Sequence, residues 1–203
     1  MTRLILIRHG QTEWNISGRY QGQSDVALTK DGIEQAKMLS EHFPVNHVDA
    51  IYASNLQRAT RTAAIIAEHF GLKVHQEAVF RELSFGDWEG LTYEEIIHQW
   101  PEAMEKFFQY PDLLEIPNGE TFQQVQNRAM ERLDTILHDF EGGDHTVVVV
   151  AHGAILRTIL AAQLNMSLRY VWRIRQFNTA VNIVRYDDGI PTIELMNSIA
   201  HLA

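Results

Sequence analysis

The run Thr146-Val147-Val148-Val149-Val150-Ala151 constrains the fold more than any other stretch of the chain. A strand with one wet face alternates apolar and polar residues; this one does not alternate. Both of its faces must be covered, which is the condition of a strand inside a parallel sheet with helices on either side. It runs straight into His152-Gly153 and then into a predicted helix over 154–164. A second apolar run, residues 3–7, ends in the same way at Arg8-His9-Gly10. Open α/β sheets bind ligands beyond the carboxyl ends of their strands, and two of the best strand ends here carry His9 and His152.

The rest of the chain alternates helix and strand. Residues 30–43 carry Ile33, Ala36, Met38, Leu39 and Phe43 at helical spacing, with Pro44 closing the helix. Residues 50–53 read as a buried strand, and 56–69 as a helix stopped by Gly71. Thr92 with Glu95, and Thr121 with Gln124, are capping boxes that each open a helix. The second of these runs to about Phe140, before Gly142-Gly143. Two closing strands are predicted over 180–186 and 192–196. The pattern implies an α/β sandwich with a mostly parallel sheet. No repeat or linker interrupts the 203 residues, so one domain over 1–203 is expected.

Composition removes several classes of function. Cys is absent, which excludes disulfides, thiolate zinc sites and iron–sulfur clusters. A formal net charge of −9 disfavours a nucleic-acid groove. No apolar stretch is long enough for a signal peptide or a membrane span, and a cytoplasmic protein is expected. An acidic chain that binds an anion must gather its few arginines in one place, so their positions matter more than their number.

Those positions are informative. A phosphoryl-transfer nucleophile needs a lone pair at neutral pH, which the imidazole of His9 supplies without a metal. Arg8 beside it favours the neutral ring and can grip phosphate oxygens. His152 at the second strand end is a candidate donor to the transferred phosphoryl group; on its own it would equally suit a buried, backbone-bonded histidine. Arg58 falls in the first turns of the 56–69 helix, near amides that favour anions. Arg61, one turn on, either shares that direction or faces solvent. Glu82 is a candidate general acid if an apolar setting from Phe85 and Trp88, or the bound phosphate, raises its pKa; the bland alternative is a loop carboxylate paired with Arg81.

Taken together and in order, these elements resemble the histidine phosphatase superfamily, also called phosphoglycerate mutase-like, over essentially the whole chain. The matching residues are 6–15 (Leu-Ile-Arg-His-Gly-Gln-Thr-Glu-Trp-Asn), Leu28-Thr29-Lys30-Asp31-Gly32 with Gln35-Ala36, 54–63, Glu82 with Gly86-Asp87-Trp88-Glu89-Gly90, Gly119-Glu120-Thr121, and His152-Gly153. The resemblance implies a three-layer α/β/α sandwich and a metal-independent phosphomonoesterase that needs no cofactor. It implies a phosphohistidine on His9, a phosphate pocket of Arg8, Arg58 and His152, and Glu82 as proton donor. It carries phosphate or substrate contacts onto Asn15, Gln21 and Gly153, and a lid-like insertion onto roughly 84–120. Ala151 departs from the usual Ser or Thr, and Asn118 from the usual Gly.

The nearest rival is a cofactor-dependent phosphoglycerate mutase on the same scaffold. Mutases follow the catalytic Glu with a basic or Ser-containing Tyr-Gly sequence, whereas Leu83-Ser84-Phe85-Gly86 stands here, and Lys106 and His98 are the only basic residues over 91–118. A metal-dependent hydrolase is disfavoured because the remaining histidines, 42, 47, 69, 75, 98, 138, 145 and 201, show no ligand spacing and are expected to be mostly solvated. A catalytically silent phosphate-binding module would have lost His9, Glu82 or His152. Trp14, Trp88, Trp100 and Trp172 are expected in the core or pocket wall, Arg173 and Arg175 at the surface, and Arg19 and Tyr20 near substrate. Phe107, Phe108 and Tyr110 either line an apolar wall or belong to the core. The expected partner is a small phosphomonoester, with no nucleic acid and no membrane; which ester, and the oligomeric state, the sequence does not encode.

Overall fold

The computed structural model describes residues 1–203. In chain order the elements are β1 (Thr2–Arg8), α1 (Glu13–Ile16), α2 (Lys30–Glu41), β2 (Ala50–Ser54), α3 (Gln57–Phe70), β3 (Val74–Glu77), α4 (Tyr93–Gln99), α5 (Ala103–Gln109), α6 (Phe122–Asp139), β4 (His145–Ala151), α7 (Gly153–Gln163), β5 (Val181–Asp187) and β6 (Ile190–Ser198), with short 3₁₀ turns between them. The six strands form one sheet in the order β3-β2-β4-β1-β5-β6. The pairs β1–β4, β2–β4 and β2–β3 are parallel, and β5 and β6 close the far edge antiparallel.

The unbroken valine run is one of the two central strands, and its residues divide between two cores as a parallel sheet requires. Val147, Val149 and Ala151 join Leu4 and Leu6 in the larger core, under α6 and α7. Val148 and Val150 join Ile5 and Ile7 in the smaller one, with the apolar residues of α2 and α3. Helices thus cover both faces, giving the α/β/α layering expected from the sequence. No helix is long and apolar enough to cross a membrane.

The β1–β4 register positions the site. Arg8 lies opposite Ala151, so the next residue on each strand is a histidine, and the His9 amide donates to the Ala151 carbonyl at 3.0 Å. Both predicted capping boxes are formed, at Thr92/Glu95 and Thr121/Gln124. Gly71 ends α3 in the left-handed region at φ 64°, and α2 ends at Glu41, before the predicted Phe43. β3 and α5 were not foreseen: β3 is four half-exposed or exposed residues, too short and polar for a periodic signal.

Residues 84–120 leave the sheet and return to the same place. Asp87 donates to Pro117 O and Glu120 donates to Ser84 O, both at 3.0 Å. Gly86, at φ 47°, sits so close that a Cβ would meet Pro117 O at 2.1 Å. Asn118 stands at φ 56°, a left-handed position that Asn tolerates better than other residues with a side chain, which explains how it replaces the usual Gly. Its Nδ2 also donates to the Asp87 carboxylate.

Candidate active site

His9 follows the last residue of β1 and is 3% exposed. Its Nδ1 lies 2.7 Å from the Gly10 carbonyl. A carbonyl only accepts, so Nδ1 carries the hydrogen and the lone pair is on Nε2. The ring is held well below the usual histidine pKa, chiefly by burial and then by Arg58 and Arg8, with the Gly10 bond opposing. Burial contributes more to this than the arginines do. Gly10 donates its amide to Thr62 Oγ1, and a Cβ there would meet Gly32 O at 2.4 Å, so the His9 loop packs directly on the start of α2.

His152, the residue before α7, has no exposure, and its ring centroid is 5.1 Å from that of His9. Arg58 Nε donates to its Nδ1 at 3.1 Å. A guanidinium cannot accept, so His152 is neutral at Nδ1 and carries its hydrogen on Nε2, which is buried without a partner. Burial and then Arg58, His9, Arg8 and Arg128 hold this ring well below its usual pKa. Arg58 is itself fully buried, donating Nη1 to Ser24 O and Nη2 to Gly22 O, both at 2.7 Å. Burial lowers its pKa to about 10 against the raising pull of Glu82. Arg8 donates Nη1 to Gln176 O at 2.7 Å and keeps a buried, unpartnered Nε. Two buried N–H donors without acceptors, on Arg8 and His152, mark a place where an anion's oxygens can sit.

Glu82, 8% exposed, sits at the N-terminus of α7, where its carboxylate accepts from Ala154 N at 3.0 Å and Ile155 N at 3.0 Å, and from Leu83 N at 2.9 Å. Helix-terminal amides favour an anion. A Cβ on Gly153 would lie 3.6 Å from Arg8 Nε and 3.7 Å from Glu82 Oε2, so this glycine is the gap across which acid and guanidinium approach. The bland reading of Glu82 fails: Arg81 donates to Asn55 Oδ1 instead.

These groups open onto a cavity of about 410 Å³ lined by Arg8, His9, Arg58, Glu82, Asn15 and Gln21, with an outer wall of Trp14, Tyr20, Phe85, Tyr93 and Phe108. His152 and Gly153 are not part of that wall; they lie buried beneath it. Asn15 and Gln21 share a hydroxyl: Thr12 Oγ1 donates toward Asn15 Oδ1 at 3.1 Å and Gln21 Oε1 at 3.0 Å. Their amide nitrogens stay free for a ligand. A larger cleft of about 950 Å³ lies at the opposite end of the sheet, lined by acidic residues such as Asp134 and Asp144, and contains none of the candidate residues.

Arg19 and Tyr20 both line the active cavity, Arg19 bonded to the Gly90 carbonyl and to Glu95 at 3.2 Å. Burial pushes the Tyr20 hydroxyl pKa up to about 12. Arg61 is exposed and points elsewhere, as are Arg173 and Arg175, which stack on Tyr170 and Phe177. Phe107 is core, whereas Phe108 is pocket wall. Trp88 is fully buried among Tyr20, Trp100 and Phe107 and does not reach the cavity beside Glu82. Most of the remaining histidines are exposed, as expected; His201 is an exception, 8% exposed and paired with Thr179.

Several supporting residues carried no sequence signal. Arg128 donates to the Glu82 carbonyl at 3.0 Å and grips Glu120, whose carboxylate also accepts from Ser84 N. Gln23 reaches the same carbonyl and carboxylate. Arg157 donates to Gly153 O and Ile174 O, its pKa lowered to about 10 by burial and then Arg8.

A family model described as the histidine phosphatase superfamily (branch 1) matches residues 4–199. Phosphoserine phosphatase 1 of Hydrogenobacter thermophilus is 34% identical over 202 residues, covering 100% of this chain and 95% of the relative. Among solved structures, YhfR of Bacillus stearothermophilus is 35% identical with a TM-score of 0.94, covering 100% of both chains. A phosphoserine phosphatase of Entamoeba histolytica in complex with 3-phosphoglyceric acid is 34% identical with a TM-score of 0.88, again over 100% of both.

Proposed function

Since the chain belongs to branch 1 of the histidine phosphatase superfamily and is a phosphatase of small phosphate esters, we propose that His9 is its nucleophile and Glu82 its proton donor. The observation that carries this is the tautomer of His9: Nδ1–H bonded to the Gly10 carbonyl leaves the Nε2 lone pair facing a cavity whose cations are guanidinium groups.

In the first step His9 Nε2 bonds to phosphorus as the ester P–O bond breaks, and Glu82, carrying a proton brought in with the phosphate, gives it to the departing alkoxide. Arg8 Nε, the free Nη hydrogens of Arg58, His152 Nε2–H and the Gly153 amide meet the phosphoryl oxygens, with Asn15 and Gln21 donating from the other side. In the second step water attacks phosphorus, its proton passes to the Glu82 carboxylate, the N–P bond breaks and inorganic phosphate leaves.

The outer wall supports an ester whose alcohol is apolar or aromatic. Its only full charge is Arg19, already committed to the Gly90 carbonyl and Glu95, so a second phosphate of the kind a mutase must hold has little to grip. Phe85, Tyr93 and Phe108 come from 84–120, which supports a lid role for that segment. A cytoplasmic enzyme acting without nucleic acid or membrane is part of the same reading, consistent with the net charge of −9.

The test is phosphate release from a panel of phosphomonoesters in EDTA, with 3-phosphoglycerate assayed with and without its bisphosphate. Release should survive chelation and vanish in His9→Ala, and acid-labile, base-stable label should be trapped on the parent enzyme. Undiminished turnover in His9→Ala, or transfer to 3-phosphoglycerate outpacing hydrolysis, would overturn the proposal.

A further inference from the structure

We propose that Asn178 is a positioning residue for phosphoryl transfer, aiming both the nucleophile and a phosphate donor through its two amide hydrogens. The inference rests on the reading of His9 and Asn15 just given.

Asn178 Nδ2 donates to the His9 carbonyl at 3.0 Å and to Asn15 Oδ1 at 3.1 Å. Both of its hydrogens are thereby used on residues of the site, and none on its own loop. The effect on Asn15 is to settle which end of the carboxamide faces the phosphate. Asn15 Oδ1 also receives Thr12 N and Thr12 Oγ1, each at 3.1 Å. Only the oxygen can accept these donors, so the NH₂ end is turned toward the cavity. Without Asn178, the carboxamide loses the donor that comes from outside its own helix cap.

The effect on His9 is to fix the backbone that carries the ring. The His9 amide is tied to Ala151 O on one side, and its carbonyl takes Asn178 Nδ2 and Thr179 N at 3.3 Å on the other. The ring's own Nδ1–H bond goes to the next carbonyl along, so a shift of this peptide would turn Nε2 away from the phosphorus.

The loop that presents Asn178 is held in a conformation it would not choose. Thr179 is β-branched and stands at φ 54°, where such residues occur only when the surroundings enforce it. The surroundings are specific. Thr179 Oγ1 donates to Asn178 O at 2.8 Å, and with its single hydrogen spent it accepts from His201 Nε2 at 2.9 Å. His201 comes from the last turn of the chain, Ala200–Leu202. On the other flank Phe177 N is held by Asn197 Oδ1 at 2.8 Å. A loop serving only to connect the 3₁₀ turn Leu168–Arg173 to β5 has no need of an inward amide or of a strained threonine beside it.

A double-mutant cycle with Asn15 tests the role. Asn178→Asp keeps the side chain's shape and removes both hydrogens; Asn178→Ser, uncharged and smaller, is made alongside it in case the aspartate does not fold. The readouts are kcat/KM on p-nitrophenyl phosphate, the inhibition constant of inorganic phosphate, and the melting temperature. Asn178→Asp and Asn15→Ala should each lower kcat/KM about tenfold or more, as expected for donors serving a charged group, and each should weaken phosphate inhibition. The double variant should lose less than the product of the single losses, because the Asn15 arm is shared and only the His9 arm is left to lose. Independent, multiplicative losses, or parent-like kcat/KM in a folded Asn178 variant while Asn15→Ala is impaired, would overturn the role of Asn178 and leave the function standing. Parent-like turnover in His9→Ala would instead remove the reading beneath it.

Discussion

Replacing Arg58 by lysine separates two accounts of the phosphate pocket, one in which it supplies charge and one in which it supplies a rigid fork. The positive charge survives the change, so a pocket that needs only a cation should hardly notice. The structure says otherwise, because Arg58 is fully buried and sends three bonds to three separate acceptors, His152 Nδ1, Ser24 O and Gly22 O. One ammonium at the end of a flexible stem cannot reach all three. Leaving two of them unmet costs about 1–3 kcal/mol each, less where water reaches the loop carbonyls, or roughly 3 kcal/mol in total. At about 2–4 °C per kcal/mol for a chain of this size, the melting temperature should fall by about 6–12 °C. The loss in activity should be larger still. The Nε–H of Arg58 is what makes Nδ1 of His152 an acceptor and so keeps the hydrogen on Nε2; without it the donor is no longer assured, and removing one such donor costs about 10²–10³ in kcat. Calorimetry, kcat/KM on p-nitrophenyl phosphate and ¹⁵N spectra of the His152 ring report on the three claims. A lysine variant with kcat/KM within about threefold of the parent and its Nε2–H tautomer intact would refute the reasoning.

The buried histidines make a pH prediction with a definite sign. His9 and His152 are both held well below the ordinary histidine value, so as pH falls through about 6.5 the unfolded chain takes up protons that the folded one refuses. Their contribution to stability is therefore full above that pH and is lost on acidification down to the folded values. Urea midpoints measured between pH 7.5 and 5.5 should fall for the parent and fall less for His152→Asn; parallel curves would contradict this. The same depression keeps His9 unprotonated, so, with His9 as the proposed nucleophile, kcat/KM should not decline until the pH is well below 6.5. Glu82→Gln should lower kcat for alkyl phosphates by about 10²–10⁴, and for p-nitrophenyl phosphate far less, since that leaving group departs without a proton. Equal losses for both substrates would argue against proton donation.

How much of this was legible in the sequence follows from how each residue works. The valine run declared its burial because no polar residue breaks it, and the register of β4 with β1 then forces His9 and His152 together. The two Thr capping boxes were legible because donor and acceptor lie three residues apart. Asn178 was not, because it acts on His9 across 169 positions and through a carbonyl, an atom every residue possesses. Arg128 and Gln23 are hidden for the same reason: they hold the backbone around Glu82 and not its carboxylate. β3 failed on length and polarity. His201 looked like one more terminal histidine, and only the left-handed Thr179 beside it explains its burial.

The net charge poses a problem that the site resolves locally. The chain is acidic overall, yet Arg8, Arg58 and Arg157 lie within electrostatic reach of the same carboxylate, Glu82, and burial lowers the pKa of each. A cluster of desolvated cations opposes folding, and Glu82, seated on the α7 amides, is the acid that reaches all three. The offset is incomplete, since Arg8 Nε and His152 Nε2 are left without acceptors. A phosphate arriving there supplies the missing oxygens and the missing negative charge together. The transition state carries its charge on the same oxygens, so the same donors serve it.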